Sequence, residues 1–491
     1  MRKFETDVQL IKYEVLKEVA RMAFEGTLED QYRSIPEKIV GGPKPRIRCC
    51  IYKEKAITEE RVSLAMGGNK DSENIIEVLS SACDECPINR FTITEACRGC
   101  LAHRCVEACP VNAIYHVGQR AYINPQKCIE CGKCKDACPY NAISDVMRPC
   151  RRVCPTDALS IDEDKKAVID HKKCIQCGAC VYHCPFGAIM DKSQVVDVIE
   201  ILKEGNKRPR SSVYAVIAPA ISSQFTYVKI GQVVKAIKML GFQDVIEAAL
   251  GADLVALHET HEFAEEIEEK GFITSSCCPA FVSYIRMKYP ALVDHISTSI
   301  SPMIAISRLI KKIDPQGKVI FIGPCIGKKM EAREPGLEGS TDYVLTFEEL
   351  CAMIDAKGIK MEDCPEEVLD NASFFGRIFA RTGGLSEAIQ HVIKEEQLEA
   401  AFKPVSCDGI MACDKALKMA KVHKLDGNFI EGMACPGGCI GGPVSLHHGP
   451  KDRKEVDKYG QGAIEKGIRD SLRIFNTDNI AMKRSFSKSE K

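Results

Sequence analysis

The stretch EGMACPGGCIGGP, residues 431–443, sets two cysteines, Cys435 and Cys439, four positions apart with Pro436 and two glycines between them. Glycine lets a backbone approach a bulky group closely and take up positive φ angles that other residues resist. Thiolates are the soft ligands that iron–sulfur clusters select. Alone, the loop also fits a structural zinc site or buried, inert thiols. Those readings weaken once two further cysteine loops are seen upstream, TSSCCPAF (274–281) and GPCIGKKMEA (323–332).

The rest of the composition fits a redox protein. A chain of 491 residues has room for roughly two to four domains and a large core. A formal charge of −1 gives no reason to expect nucleic acid or an acidic membrane surface as partner. No apolar run reaches the roughly 20 residues that span a bilayer. The start, MRKFETDVQL, carries no h-region and no twin arginine, so a cytoplasmic location is expected. In that compartment thiols stay reduced, and the 27 cysteines are better explained by metal ligation than by disulfides.

Residues 1–80 read as a helical N-terminal segment that packs on whatever follows. Apolar residues recur at helical spacing in 10–24 and 57–66, with a Gly-Gly-Pro-Lys-Pro break at 41–45. Adjacent Cys49 and Cys50 are read as structural, because stiff neighbours rarely aim at one metal.

The block 81–192 is dense with cysteine. CRGCLAHRCVEACP supplies Cys97, Cys100, Cys105 and Cys109; CIECGKCKDACP supplies Cys128, Cys131, Cys134 and Cys138. The second run matches the bacterial ferredoxin pattern, in which three close cysteines hold one 4Fe–4S cluster and the fourth holds the other. Crossed ligation then joins Cys97, Cys100 and Cys105 with Cys138, and Cys128, Cys131 and Cys134 with Cys109. This is an α+β dicluster ferredoxin-like domain over 81–148. A second, partly degenerate unit is expected over 149–192. CIQCGACVYHCP gives Cys174, Cys177, Cys180 and Cys184, whereas CRRVCPTDAL gives only Cys150 and Cys154. Crossing joins Cys174, Cys177 and Cys180 with Cys154. Cys150 and Cys184 lack two partners, which Cys83 and Cys86 of CDECP have the spacing to supply. That closes the arithmetic at four accessory clusters; the alternative is three, with Cys83 and Cys86 structural. A row of redox centres would carry electrons between surface and interior. A short helix (192–205) and a basic linker (206–212) end the block.

From 213 the pattern alternates apolar strands and amphipathic helices. VYAVIAP (213–219) and KVIFIGP (318–324) read as buried parallel strands, with helical stretches at 232–240 and 252–270 between them. An α/β catalytic domain over 213–446 is expected, with its sites at the strand ends.

In order, spacing and flanking residues the three loops resemble the signature loops of the iron-only (FeFe) hydrogenases, and the resemblance covers residues 83–480. It implies an H-cluster fold and an H-cluster, a 4Fe–4S cluster bridged to a two-iron subsite that carries carbon monoxide, cyanide and a dithiolate. The ligands implied are Cys278, Cys325, Cys435 and Cys439, with Cys439 as the bridge. Cys277 matches the cysteine that passes protons, and Lys328 the lysine that hydrogen-bonds a bound cyanide. Met433, Pro324, Pro219 and Ala220 match residues around the subsite. Glu259 and Glu262, three apart on one helix face, match with Ser297 and Cys277 a relay of protons from solvent. His258 and His261 match nothing in it and are read as surface or supporting residues.

The implied activity is reversible interconversion of protons and electrons with dihydrogen, with ferredoxin or a similar carrier as electron partner and maturation proteins to build the cluster. The charged, helical tail (447–491) resembles the family's small subunit. The sequence departs from the family pattern at Gly323, Ile326-Gly327, Ala280-Phe281 and Ile300, around the subsite and away from the ligands. Cys407 and Cys413 are extra and read as buried thiols. The alternatives are a hydrogen-sensing or electron-bifurcating component, and a non-enzymatic iron–sulfur assembly relative.

Overall fold

The computed structural model describes residues 4–205 and 212–486, so the expected linker falls outside the described residues except for Ser212. The N-terminal segment folds around two long helices, Asp7–Glu25 and Ile51–Ala65. The first is capped by the Thr6 side chain and ends at Gly26 in a left-handed turn. Its apolar face, including Val15, Leu16 and Val19, joins the main core. There it lies against the helices Phe347–Ala356 and Val195–Gly205. A buried Lys12–Glu348 ion pair (3.2 Å) fixes the contact. The segment therefore belongs structurally to the catalytic domain.

The cysteine block contains eight short strands: β1 (Ile76–Val78), β2 (Phe91–Ile93), β3 (Ile114–Val117), β4 (Arg120–Ile123), β5 (Ile143–Asp145), β6 (Leu159–Ile161), β7 (Ala167–Ile169) and β8 (Ile189–Asp191). Four antiparallel pairs form: β2 with β5, β3 with β4, β6 with β7, and β1 with β8. Each ferredoxin-like unit thus has an outer pair and an inner hairpin. The pairing corrects the expected domain order. The second unit begins at β1, inside the segment read as helical, and closes at β8. The whole first unit, β2 to β5, is inserted between its Cys86 and Cys150. The second unit lost no cysteines; an insertion split its first half. The ends of the insertion touch, with Val146 N donating to Arg90 O at 2.7 Å.

The two units repeat in detail. After each Cys-Pro the chain turns through a left-handed residue, Asn112, Asn141, Asp157 or Gly187, with φ of 50°, 50°, 53° and 58°. The next residue is alanine, and its amide donates back to the cysteine sulfur, to Cys109, Cys138, Cys154 and Cys184 at 3.2, 3.4, 3.2 and 3.2 Å.

The catalytic domain holds β9 (Val213–Ile217), β10 (Asp244–Glu247), β11 (Ile273–Thr274), β12 (Lys318–Gly323), β13 (Tyr343–Thr346), β14 (Pro404–Asp408) and β15 (Phe429–Met433). They form two parallel sheets, in the orders β10-β9-β12-β13 and β11-β15-β14. β9 and β12 are apolar and almost wholly buried, as expected of strands covered on both faces. The carboxyl ends of β9, β10, β11, β12 and β15 lead into loops around one cavity, the usual place for a site in open parallel sheets.

The second ferredoxin-like unit is locked to this domain by charge. Lys329, 1% exposed, lies between Asp191 at the end of β8 (2.8 Å) and Glu349 (2.9 Å). The carboxylates outweigh the effect of burial and raise the lysine's pKa, so it stays charged. Breaking such a buried pair from one side costs about 3–5 kcal/mol. The tail also folds back: the helix Asp452–Gln461 packs on Phe374–Ile378, and Ser299 pairs with Lys483.

Candidate active site

Five strand-end loops enclose a cavity of about 90 Å³. A single water needs about 10–15 Å³ measured in this way, so the space takes a multi-atom group. Cys277, Cys278, Cys325, Cys435 and Cys439 line it, together with Lys328, Pro219, Pro324 and Met433. Ala220 does not reach it. It is fully buried at the start of the helix Ile221–Gln224, and Ala218 takes its place on the wall because it stands at the end of β9.

The loop 431–443 depends on its glycines where neighbours press in. At Gly438, with φ of +92°, a Cβ would lie 2.7 Å from Thr382 N; at Gly442 it would lie 2.2 Å from Pro324 O. The departure at Gly323 has a steric reason, since a Cβ there would lie 2.6 Å from the Phe321 ring, which itself lines the cavity.

The donor set fits an iron–sulfur group. Burial, then the neighbouring thiols, raise Cys325 to about 11 and Cys439 to about 12, and lift Cys435 well above its ordinary value. Facing thiolates in such a place need a metal to neutralise them. Among the described residues no three His, Cys, Asp or Glu converge closely enough for a single ion; the thiols stand around a void.

Cys277 differs from its neighbour. It is buried, and desolvation followed by the charge of Glu259 pushes its pKa well up, so it stays a thiol with a proton to give. Glu259 is wholly buried, and burial, reinforced by Glu262, raises its carboxyl to about 8. Neither of its oxygens makes a well-formed hydrogen bond, and the nearby Ser297 hydroxyl and Ser276 amide oppose the shift only in part. Ser297 Oγ donates to Glu262 Oε2 at 2.5 Å, while Thr298 donates to Oε1 through its amide and hydroxyl, both at 2.7 Å. The expected relay residues thus lie together in the interior. His258 joins them: its Nδ1 lies 2.7 Å from Ser299 Oγ, which lies 3.5 Å from Glu262 Oε2. His261 faces away and bonds Glu396 at 2.7 Å.

Lys328 Nζ donates to Cys277 O (3.1 Å) and to Glu331 Oε2 (2.6 Å). Burial opposes its charge, but Glu331 outweighs that and the pKa is raised. Glu331 itself escaped sequence reading, although its i,i+3 spacing from Lys328 was a usable signal. Nothing local announced Arg484, from the tail, which reaches the other oxygen of Glu331 at 3.3 Å.

The accessory cysteines assemble as crossed ligation requires. Cys97, Cys100, Cys105 and Cys138 line one small cavity, and Cys83, Cys86, Cys150 and Cys184 another. The charge of Cys109 acts on Cys134 together with that of Cys128, and the charge of Cys154 acts on Cys174, Cys177 and Cys180. Ala121 N donates to Cys97 Sγ at 3.5 Å and Ala167 N to Cys83 Sγ at 3.3 Å, so Cys83 occupies in the second unit the place of Cys97 in the first. Cys177 lies beside Cys278 and Cys435, which brings the second unit to the back of the active-site loops. Gly327 makes that approach possible, 3.6 Å from Gln176 O and 3.7 Å from Cys325 Sγ. Cys49 and Cys50 are exposed, and the Cys50 sulfur caps the helix Ile51–Ala65.

Comparison with known proteins agrees with this geometry. Residues 211–443 match the iron-only hydrogenase large subunit, C-terminal domain. Residues 94–112 and 121–144 match 4Fe–4S binding domains, and 144–195 match the LdpA Fe–S cluster-binding domain. Iron hydrogenase 1 of Clostridium pasteurianum is 28% identical over 58% of this chain and 57% of its own length. The chain therefore spans little more than half of that relative. The periplasmic [Fe] hydrogenase large subunit of Nitratidesulfovibrio vulgaris is 30% identical over 51% of this chain and 72% of its own. Protein NAR1 of Arabidopsis thaliana is 25% identical over 42% of this chain and 58% of its own. Among solved structures, a variant of [FeFe]-hydrogenase HydA1 from Chlamydomonas reinhardtii is similar at a TM-score of 0.49 and 19% identity, over 59% of this chain and 95% of its own. The chain belongs to the iron-only hydrogenase large-subunit family and carries iron–sulfur cluster domains ahead of the catalytic one.

Proposed function

We propose that this chain is a working hydrogenase that interconverts protons and electrons with dihydrogen at an H-cluster held by Cys278, Cys325, Cys435 and Cys439. The two-iron group, when bound, supplies the hydride chemistry. The protein's part is ligation, proton delivery and charge. Lys328 holds a cation at the cavity wall, and Cys277 holds a proton at the cavity surface. Ser297 and Glu262 lead inward from the segment 297–299, and Glu259 stands protonated at neutral pH between them and Cys277. Four accessory 4Fe–4S clusters, on the sixteen cysteines from Cys83 to Cys184, would relay electrons, with the one on Cys154, Cys174, Cys177 and Cys180 handing over beside Cys278. Ferredoxin or a similar small carrier in the cytoplasm is the proposed partner, and maturation proteins insert the two-iron group.

The observation that carries this reading is the protonated chain from Glu259 to Cys277, which ends at a cavity larger than its thiols need. A protein that only stores or assembles clusters has no use for it. The NAR1 relatives, one of them described as a cytosolic Fe–S cluster assembly factor, keep the second reading in view. The test is hydrogen evolution from reduced viologen by protein matured with the two-iron group. Steady evolution that requires Cys277 supports the hydrogenase; cluster-replete protein that stays inactive after maturation supports the assembly reading.

A further inference from the structure

Extended residues 482–484 of the tail lie antiparallel to 298–300, the segment that carries the partners of Glu262. Ile300 N donates to Met482 O at 2.9 Å and Arg484 N to Thr298 O at 2.8 Å. This places the Arg484 side chain, 5% exposed, under the first cysteine loop. Its Nη2 donates to Ser276 O at 2.6 Å, its Nη1 reaches Glu331 Oε1 at 3.3 Å and lies 3.6 Å from Glu334, and the Phe486 ring covers the guanidinium at 4.7 Å. The other oxygen of Glu331 takes Lys328 Nζ at 2.6 Å and Ser301 Oγ at 2.9 Å, and Lys328 also holds Cys277 O at 3.1 Å.

The contacts close a ring: Arg484, the carbonyls of residues 276 and 277, Lys328 and Glu331. We propose that Arg484 is a positioning residue of the active site, by which the C-terminal tail fixes the 276–278 loop and leaves Lys328 as an uncompensated cation at the cavity. Two physical points support it. Glu331 is completely buried, and with Lys328 alone it would cancel the charge that faces the cavity. A second cation on its far oxygen leaves one positive charge over. Ile300, buried on the same segment, contributes none. The planar fork of a guanidinium can hold a carboxylate and a carbonyl at once, which a point-like ammonium does less well. The inference rests on the proposed function only for the two-iron group; the clamp on the cysteine loop stands without it.

The test uses full-length protein carrying its 4Fe–4S clusters but no two-iron group, with Arg484→Gln and Arg484→Lys. Hydrogen–deuterium exchange of the 275–278 amides reads the clamp, and an EPR-monitored titration of the active-site cluster reads the charge. Arg484→Gln should speed exchange there by about tenfold, the size expected for losing charge-assisted hydrogen bonds, and should shift the cluster to a more negative potential. Arg484→Lys keeps the charge, so the potential should hold while part of the protection is lost. Should Arg484→Gln fail to fold, the lysine variant decides. Wild-type exchange in a folded Arg484→Gln, or in Arg484→Lys, overturns the positioning role; an unmoved potential in Arg484→Gln overturns the charge role. In matured protein, Arg484→Gln should also displace the cyanide bands in the infrared. Absence of such bands in the wild type itself would sink the hydrogenase reading and leave the clamp intact.

Discussion

Glu259→Gln probes the proton path most sharply, because its effects on turnover and on stability have different pH dependences. Burial first, then Glu262, raises the Glu259 carboxyl from 4.5 to about 8. Its protonated form is thus the one present at neutral pH and the one able to give a proton to Cys277. Hydrogen evolution by the wild type should fall as pH rises through about 8. Glutamine has no proton to pass on, and losing a positioned proton donor costs about 10²–10⁴-fold in rate; Glu259→Asp should recover part of it. The stability effect has the opposite sense. A raised folded-state pKa contributes stability that is present below about 4.5 and is lost as pH rises to about 8. The shift corresponds to at most about 5 kcal/mol for a fully buried group. Glutamine stays neutral throughout, so its stability relative to wild type should improve across that window and level off above it. The assays are hydrogen release and urea unfolding under anaerobic conditions from pH 5 to 9, about the span in which the group titrates. Wild-type turnover in Glu259→Gln, or a stability difference that does not change with pH, would refute the reasoning.

Replacing Cys83 and Cys86 together with alanine should remove one cluster, about four iron atoms by iron analysis; unchanged iron would make the pair structural. Excising 91–145 and joining Arg90 to Val146 through a short glycine link should leave a folded protein that lacks two clusters, because those ends already bond at 2.7 Å. Iron loss beyond about eight atoms, or a collapsed catalytic domain by circular dichroism, would contradict the nested arrangement. Cys278→Ala should lose the active-site cluster, whereas Cys277→Ala should keep every cluster by EPR and lose hydrogen turnover; matching losses of iron in the two would remove the distinction drawn between these neighbours.

Much of this was legible in the chain. The apolar runs at 213–219 and 318–324 are β9 and β12 and their loops, and cysteine spacing alone paired Cys83 and Cys86 with Cys150 and Cys184. What stayed hidden depends on contacts distant in sequence. β1 and β8 are three-residue strands with no readable periodicity, so the nesting of one unit in another left only a split motif as its trace. The tail reads as a solvated charged helix, yet Arg484 is buried by pairing with a segment nearly two hundred residues earlier. The long helix Asp7–Glu25 looked independent because its partner, Phe347–Ala356, lies far along the chain. Ala220 was assigned one turn too far, because where β9 ends is set by pairing with β12 and not by its own residues.

The central claim, that these cysteines hold a two-iron group beside a cluster, is tested most directly by infrared spectroscopy of protein matured anaerobically with that group. Bound carbon monoxide and cyanide absorb where no protein group does. The account predicts sharp carbonyl and cyanide bands that vanish in Cys278→Ala and persist in Cys277→Ala. Wild-type protein replete in 4Fe–4S clusters that shows no such bands after maturation would contradict it.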